Sequence, residues 1–145
     1  MSWSDWLLFF HVGSAFVLGM ALVGFWAPIV AGLRSAGNPQ SIALAIAPKG
    51  AVLAGLGAAG TFIFGIWLAI QRDEYQLWDA WILTSLILLI VGMVCGQASG
   101  QTFRDAMGKG EPEGAALRRR GTLLHAAASI LYLTVLVLMI FKPGA

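Results

Sequence analysis

The sequence predicts an all-α membrane protein, a single domain in which four transmembrane helices form an antiparallel bundle. Of its 145 residues, 59% are hydrophobic and 11% are charged, whereas about a quarter of the residues of a soluble domain are charged. The mean hydropathy is +0.81. The few charged residues divide the chain into four long uncharged stretches. Each is long enough to cross a bilayer core, which takes roughly 20 helical residues.

These stretches place the helices at about 6–33, 50–71, 77–103 and 121–141 within a domain that spans 1–145. A segment in lipid must satisfy its own backbone polar groups, which a helix does, and the strands of a β-barrel would instead alternate over short segments. The first stretch carries Asp5 where a signal peptide has basic residues, so we interpret it as a retained helix.

The first and third connections between the predicted helices lie on the same side of the membrane and differ in composition. The first, "RSAGNPQSIALAIAPK", contains the apolar piece 42–47. This piece is either a turn of interfacial helix or an early start of helix two, and Pro48 favours a break. The third, "GKGEPEGAALRRRG", is rich in glycine and charge, which predicts a mobile loop.

The basic residues predict the orientation of the chain. Loops one and three hold seven of the nine Lys and Arg residues: Arg34, Lys49, Arg104, Lys109, Arg118, Arg119 and Arg120. The positive-inside rule places these loops in the cytoplasm, with both termini outside a bacterial inner membrane. Tryptophans cluster near the proposed outer ends, as an aromatic belt does: Trp3, Trp6, Trp67, Trp78 and Trp81. Trp26 is the exception, since it lies toward the other end of helix one.

The charges also indicate partners. A net charge of +2 is small, so nucleic acid is not predicted. Arg118, Arg119 and Arg120 lie beside helix four, where they can bind the headgroups of membrane lipids. A specific docking site is the alternative. The helices offer further contact surfaces, because helices one and two are rich in Gly and Ala. Small residues let helices approach closely in lipid, and here they predict packing within the bundle or, alternatively, close approach to a flat cofactor such as haem.

The two histidines are the candidate cofactor ligands. Ionisable residues inside membrane spans are functional candidates, and imidazole is the commonest haem and metal ligand. His11 and His125 lie near the starts of antiparallel helices, so they approach opposite membrane faces, on the order of 15 Å apart. This distance excludes one iron bound by both histidines of one protomer. No metal site of other residues and no catalytic residue is predicted.

Other pairings of these histidines remain open. Met139 lies at the predicted depth of His11, and Met93 at that of His125, and His/Met ligation of haem is chemically reasonable. Two copies of His11 can also meet across a dimer. The alternative is a histidine bonded to a backbone carbonyl, a hydroxyl or water. In either case His11 shares a helix face with Ser14 and Ala15, which predicts that it is buried against helices one and two and does not face lipid.

Four segments carry a resemblance to known families: "WLLFFHVGSAFVLG", "GTFIFGIWLAI", "WDAWILTSLILL" and "LYLTVLVLMIFKPG". The chain resembles a family of small four-helix bacterial membrane proteins of unknown function. It is more distantly similar to HemJ-type protoporphyrinogen oxidases and CopD-like copper-resistance proteins. The resemblance to the HemJ-type enzymes implies a haem-binding role for His11. The closing Lys-Pro pair of those enzymes matches Lys142-Pro143.

The same resemblance has gaps. Where the HemJ-type enzymes have a lysine, this chain has Ile82-Leu83-Thr84-Ser85. Near the position of a later histidine of those enzymes, it has Cys95-Gly96-Gln97. Their Asn-Glu-x-Pro motif is absent after Arg120. The sequence therefore favours a non-catalytic protein, either a structural or accessory subunit of a membrane complex or a homo-oligomer. One alternative is a redox protein that binds haem b or copper through His11. A second alternative is an enzyme of porphyrin metabolism.

Overall fold

The computed structural model describes residues 2–34, 40–71 and 78–142, and side chains within these ranges except those of 31–49. The described residues form four helices and no strand: α1 (Trp3–Arg34), α2 (Gln40–Gln71), α3 (Ala80–Met107) and α4 (Glu113–Phe141). All four are long and apolar enough to cross a membrane. The predicted all-α architecture is confirmed, and the chain is a multi-pass membrane protein. The charged connection around Asp73 lies outside the described residues.

The helices α2 and α4 begin well before the apolar runs that predicted them. α2 already begins at Gln40 and continues through Pro48, so the apolar piece 42–47 is an early start of helix two. α4 begins at Glu113, where the sequence predicts a mobile loop. The segment 114–120 follows its neighbours into the helix because Ala, Leu and Arg are strong helix formers. Glu113 in the first turn also interacts favourably with the helix dipole.

The start of α1 has a capping box. The backbone N–H of Asp5 donates to Ser2 Oγ at 3.3 Å, and the backbone N–H of Ser2 donates to Asp5 Oδ2 at 2.7 Å. Each side chain thus accepts a hydrogen bond from a backbone donor at the start of the helix, and the N–H of Asp5 also donates to the backbone oxygen of Ser2 at 3.2 Å. Asp5 therefore serves to start the first helix.

The centre of the bundle draws on all four helices. Leu18 of α1, Ala58 of α2 and Leu89 of α3 pack with Tyr132 and Val135 of α4. A second cluster, Ala69, Trp81 and Ile82, joins α2 to α3. Large apolar side chains such as Phe16, Val23 and Ile140 remain exposed around the outside, as expected for surfaces in contact with lipid.

α1 and α2 pack closely through small residues. A Cβ atom at Gly57 would lie 2.6 Å from the backbone nitrogen of Leu18 and 2.9 Å from the carbonyl oxygen of Ser14. At Gly60 it would lie 2.8 Å from Ser14 Cβ. Any larger side chain would push the helices apart, because the backbones themselves are in contact. The predicted packing within the bundle is confirmed for Gly19 of α1 and for Gly50, Gly57, Gly60 and Gly65 of α2, whereas nothing lies within 4 Å of a Cβ atom at Gly13, Gly24 or Gly55.

Candidate functional site

His11 lies half-buried between α1 and α2. Its Nδ1 atom is 3.0 Å from the backbone oxygen of Thr61. Its ring lies against Gly65, where a Cβ atom would be 2.9 Å from Cε1 of the imidazole. As predicted, His11 packs against the small residues of helix two and has a polar partner, although its side chain is half-buried and not fully buried. The partner is a backbone carbonyl.

The bond to Thr61 fixes the proton on the ring. A carbonyl oxygen only accepts hydrogen bonds, so Nδ1 of His11 must be the donor. In the neutral imidazole, Nε2 then keeps its lone pair. This is the tautomer that metal-ligating histidines adopt when a carbonyl orients them. His11 can therefore serve as a helix-helix contact through Nδ1 and, chemically, as a ligand through Nε2.

His125 is buried, with 4% of its surface exposed, and connects α4 to α1. Its Nε2 atom is 3.1 Å from the backbone oxygen of Leu22 and must donate to it. The rings of Trp26 and Phe25 lie edge-on to the imidazole, at centroid distances of 5.1 and 5.9 Å. His125 is thus held at the α1–α4 contact by one polar and two aromatic neighbours.

A hydroxyl extends this contact. Trp26 Nε1 donates to Ser129 Oγ at 3.1 Å, and Ser129 Oγ donates to the backbone oxygen of His125 at 2.9 Å. Trp26, the exception to the aromatic belt in the sequence, therefore has an internal role. An indole N–H in hydrocarbon would lose several kcal/mol without a partner, and Ser129 supplies that partner.

Tyr132 is a further polar contact between α1 and α4. The side chain is buried, and its hydroxyl donates to the backbone oxygen of Ala15. Gly19 makes room for it, since a Cβ atom there would be 3.3 Å from the tyrosine hydroxyl. Sequence reasoning missed Tyr132, although a phenol inside an apolar run is a signal that a partner is needed.

His11 lies on α1 and His125 contacts α1, at positions that are far apart along this helix. His125 contacts this helix at Leu22, eleven positions beyond His11, which corresponds to about 16 Å at 1.5 Å per residue. They also occupy different contacts, with α2 for His11 and with α4 for His125. The predicted separation is thus confirmed, and one iron bound by both rings of a single chain is excluded.

Both candidate methionines pack in apolar surroundings. Met93 packs against the central cluster around Leu89. Met139 packs against that cluster and against the one that contains Ala69. Ala69 lies one helical turn beyond Gly65, the residue under the His11 ring, so Met139 and His11 are at comparable depths. Among the described residues, no group of three or more His, Cys, Asp or Glu is placed to hold a metal ion.

The arginine triplet divides into two kinds. Arg118 forms an ion pair with Glu111. Arg119 and Arg120 are exposed on the same helix, and neither is in an ion pair with another described residue.

Comparison of the chain with protein-family models, with curated proteins and with solved structures finds no match. A proposal for the function of this chain therefore depends on the chemistry of the helix contacts.

Proposed function

We propose that this protein is a non-catalytic subunit of the bacterial inner membrane, which assembles with other membrane subunits or with itself. The observation that carries the proposal is a stripe of small residues on the outside of α2. Ala51, Gly55 and Ala59 are four residues apart and all are exposed. Nothing lies within 4 Å of a Cβ atom at Gly55.

This stripe is separate from the packing within the bundle. Gly57, Gly60 and Gly65 of the same helix already contact α1. A small-xxx-small pattern in lipid allows a second helix to approach closely and gain dispersion contacts. Bulky side chains would serve equally well on a surface that meets lipid alone. The outer stripe of α2 therefore favours association with another helix.

The polar groups inside the bundle support a structural role. The ring N–H groups of both histidines and the hydroxyl of Tyr132 donate to backbone carbonyls of neighbouring helices. Contacts of this kind hold transmembrane helices together. They occupy one ring nitrogen of each histidine and the hydroxyl proton of Tyr132.

The test is a measurement of association in bilayers. If the protein associates with itself, Gly55→Leu should weaken this association, which is measured by energy transfer between labelled copies in vesicles. If it associates with another subunit, Gly55→Leu should reduce cross-linking to that subunit in native membranes. Loss of a close helix contact should lower the association constant about tenfold or more, equivalent to 1.4 kcal/mol. Gly24→Leu is the matched control, because Gly24 is also exposed and has nothing within 4 Å of its Cβ position.

Two results contradict this proposal. One is wild-type protein that neither self-associates nor cross-links to another protein. The other is equal behaviour of the Gly55→Leu and Gly24→Leu variants.

The second candidate function is redox chemistry with haem b or copper bound at His11. The observation that favours it is the bond from Nδ1 to Thr61, which leaves Nε2 as the available ligand atom. His11 through Nε2 and Met139 through its sulfur would hold the group, which would supply one-electron transfer. The packing of Met139 near Ala69, one turn beyond Gly65, is compatible with that pairing.

The visible spectrum and metal content of the native protein separate the two functions. A Soret band with stoichiometric iron, or stoichiometric copper, would support the redox function. His11→Ala should then remove the cofactor, whereas His125→Ala should keep it. Protein without cofactor after mild extraction from its native membrane would exclude the redox function. In that case, His11→Ala should still lower thermal stability, because it removes the α1–α2 bond.

A further inference from the structure

The end of the bundle where α3 and α4 are connected carries more positive than negative charge. Two ion pairs neutralise part of it: Lys109 Nζ with Glu113 Oε1 at 3.1 Å, and Arg118 with Glu111. The charged side chains left over among the described residues here are Arg104, Arg119 and Arg120 on one side and Asp105 on the other. Residues 31–49, which precede the membrane run of α2, contain no Asp or Glu, so they offer no further carboxylate.

The three arginines lie within about one helical turn of one another in level along the bundle. Ser99 Oγ of α3 donates to the backbone oxygen of Gly121 at 2.8 Å. A Cβ atom at Gly121 would be 3.0 Å from the ring of Phe103. Because the helices are antiparallel, these contacts and the approach of Gly114 to the backbone oxygen of Ala106 place Arg104 opposite Ala116, about one helical turn from Arg119 and Arg120.

Both arginine-bearing faces continue into lipid-facing surface. On α4, Leu123 is 63% exposed and shares a face with Arg119 and Arg120, which precede it by four and three residues. On α3, exposed residues follow Arg104 at three- and four-residue steps toward the other end: Gln101, Gln97, Val94, Ile90, Ile87 and Leu83. The apolar part of the α4 stripe therefore ends directly at Arg119 and Arg120, whereas on α3 the polar Gln97 and Gln101 lie between the apolar part and Arg104.

We propose that Arg104, Arg119 and Arg120 form a binding surface for the headgroups of anionic phospholipids. A guanidinium group donates two parallel hydrogen bonds to a phosphate, while the acyl chains lie along the exposed stripe below. Arg118 is excluded from this surface because Glu111 neutralises it. Each contributing arginine should favour an anionic over a zwitterionic lipid by about fivefold. Added salt should weaken the preference, because these side chains are exposed.

The test uses the full-length protein in vesicles of equal parts phosphatidylcholine and phosphatidylglycerol. Protein is extracted with its surrounding lipids by an amphipathic polymer, and the extracted lipids are quantified by mass spectrometry. We expect phosphatidylglycerol to be enriched around the wild type. Arg119→Gln and Arg120→Gln should each reduce this enrichment about fivefold. Arg118→Gln removes the same charge from a neighbouring position and should leave the enrichment nearly unchanged.

A charge-preserving variant separates a headgroup site from a defect in folding. The double variant Arg119→Lys with Arg120→Lys should retain most of the enrichment, since lysine also binds phosphate. The proposal is overturned if the wild type shows no enrichment. It is also overturned if Arg118→Gln loses as much as Arg119→Gln, because net charge alone would then explain the effect.

Discussion

The hydroxyl of Tyr132, in the middle of the last helix, donates a hydrogen bond to the backbone carbonyl of Ala15 in the first helix. Tyr132 also belongs to the central apolar cluster with Leu18 and Ala58. One side chain thus combines apolar packing with a polar bond across the α1–α4 contact. This contact closes the bundle, because it joins the two ends of the chain.

Tyr132→Phe should destabilise the folded protein by about 1 kcal/mol, because it removes the donor and keeps the ring. The measurement is the free energy of unfolding during titration with a denaturing detergent. Thr134→Val is the control, since the Thr134 hydroxyl bonds only within its own helix, to the backbone oxygen of Ile130 at 2.9 Å. Equal effects of the two substitutions would argue against an interhelical role for the tyrosine hydroxyl.

Gly57→Ala should destabilise the α1–α2 contact by about 1–3 kcal/mol, because its methyl group would overlap the backbone of Leu18. Gly24→Ala should be neutral or slightly stabilising, since nothing lies within 4 Å of that Cβ position and alanine favours the helix. Thermal unfolding in a mild detergent compares the two. A stable Gly57→Ala protein would show that the helices are less closely packed than described.

Replacement by alanine should affect stability differently at two serines of α3. Ser85 is buried, and its hydroxyl has no hydrogen-bond partner among the described residues. Ser85→Ala should therefore be neutral or stabilising, because it removes an unpaired polar group.

Ser99 is the counterpart of Ser85. It donates to the backbone oxygen of Gly121 at 2.8 Å, so Ser99→Ala should cost about 1 kcal/mol. Unfolding free energies measured side by side decide the comparison. A larger loss for Ser85→Ala than for Ser99→Ala would indicate that Ser85 has a partner of its own.

The proposed orientation places both termini outside. A cysteine introduced at Asp73, in a Cys95→Ser background, should react with a membrane-impermeant thiol reagent added from the periplasmic side. A cysteine at Lys109 should react only after the membrane is permeabilised. The reverse pattern would refute this orientation and, with it, the cytoplasmic placement of the basic residues.

The sequence predicted the elements that depend on hydrophobicity and on residue size. Long apolar runs located the four helices, and the small residues near His11 indicated which helix face is buried. The partner of His11 was predicted only as a class, because the carbonyl that meets the ring depends on how far α1 is shifted along α2.

The helix from Glu113 was missed for a local reason. Glycine and charge dominate the segment, although Ala115, Ala116 and Leu117 favour a helix.

Other features depend on geometry between residues that are far apart in the sequence. The Trp26–Ser129 and Tyr132–Ala15 bonds join residues more than 100 positions apart. No local pattern indicates such pairs until the rotation of both helices is known.

The bonds from α4 to α1 also have a consequence for biosynthesis. The carbonyl oxygens of Ala15 and Leu22 receive their side-chain donors, Tyr132 and His125, from α4, which is synthesised more than 100 residues after them. The first hairpin can form through its glycines while translation continues, but these contacts must wait until the C-terminal segment enters the bilayer. A nascent chain halted before residue 125 would therefore contain a paired α1 and α2 that still lack every side-chain hydrogen bond to the last helix.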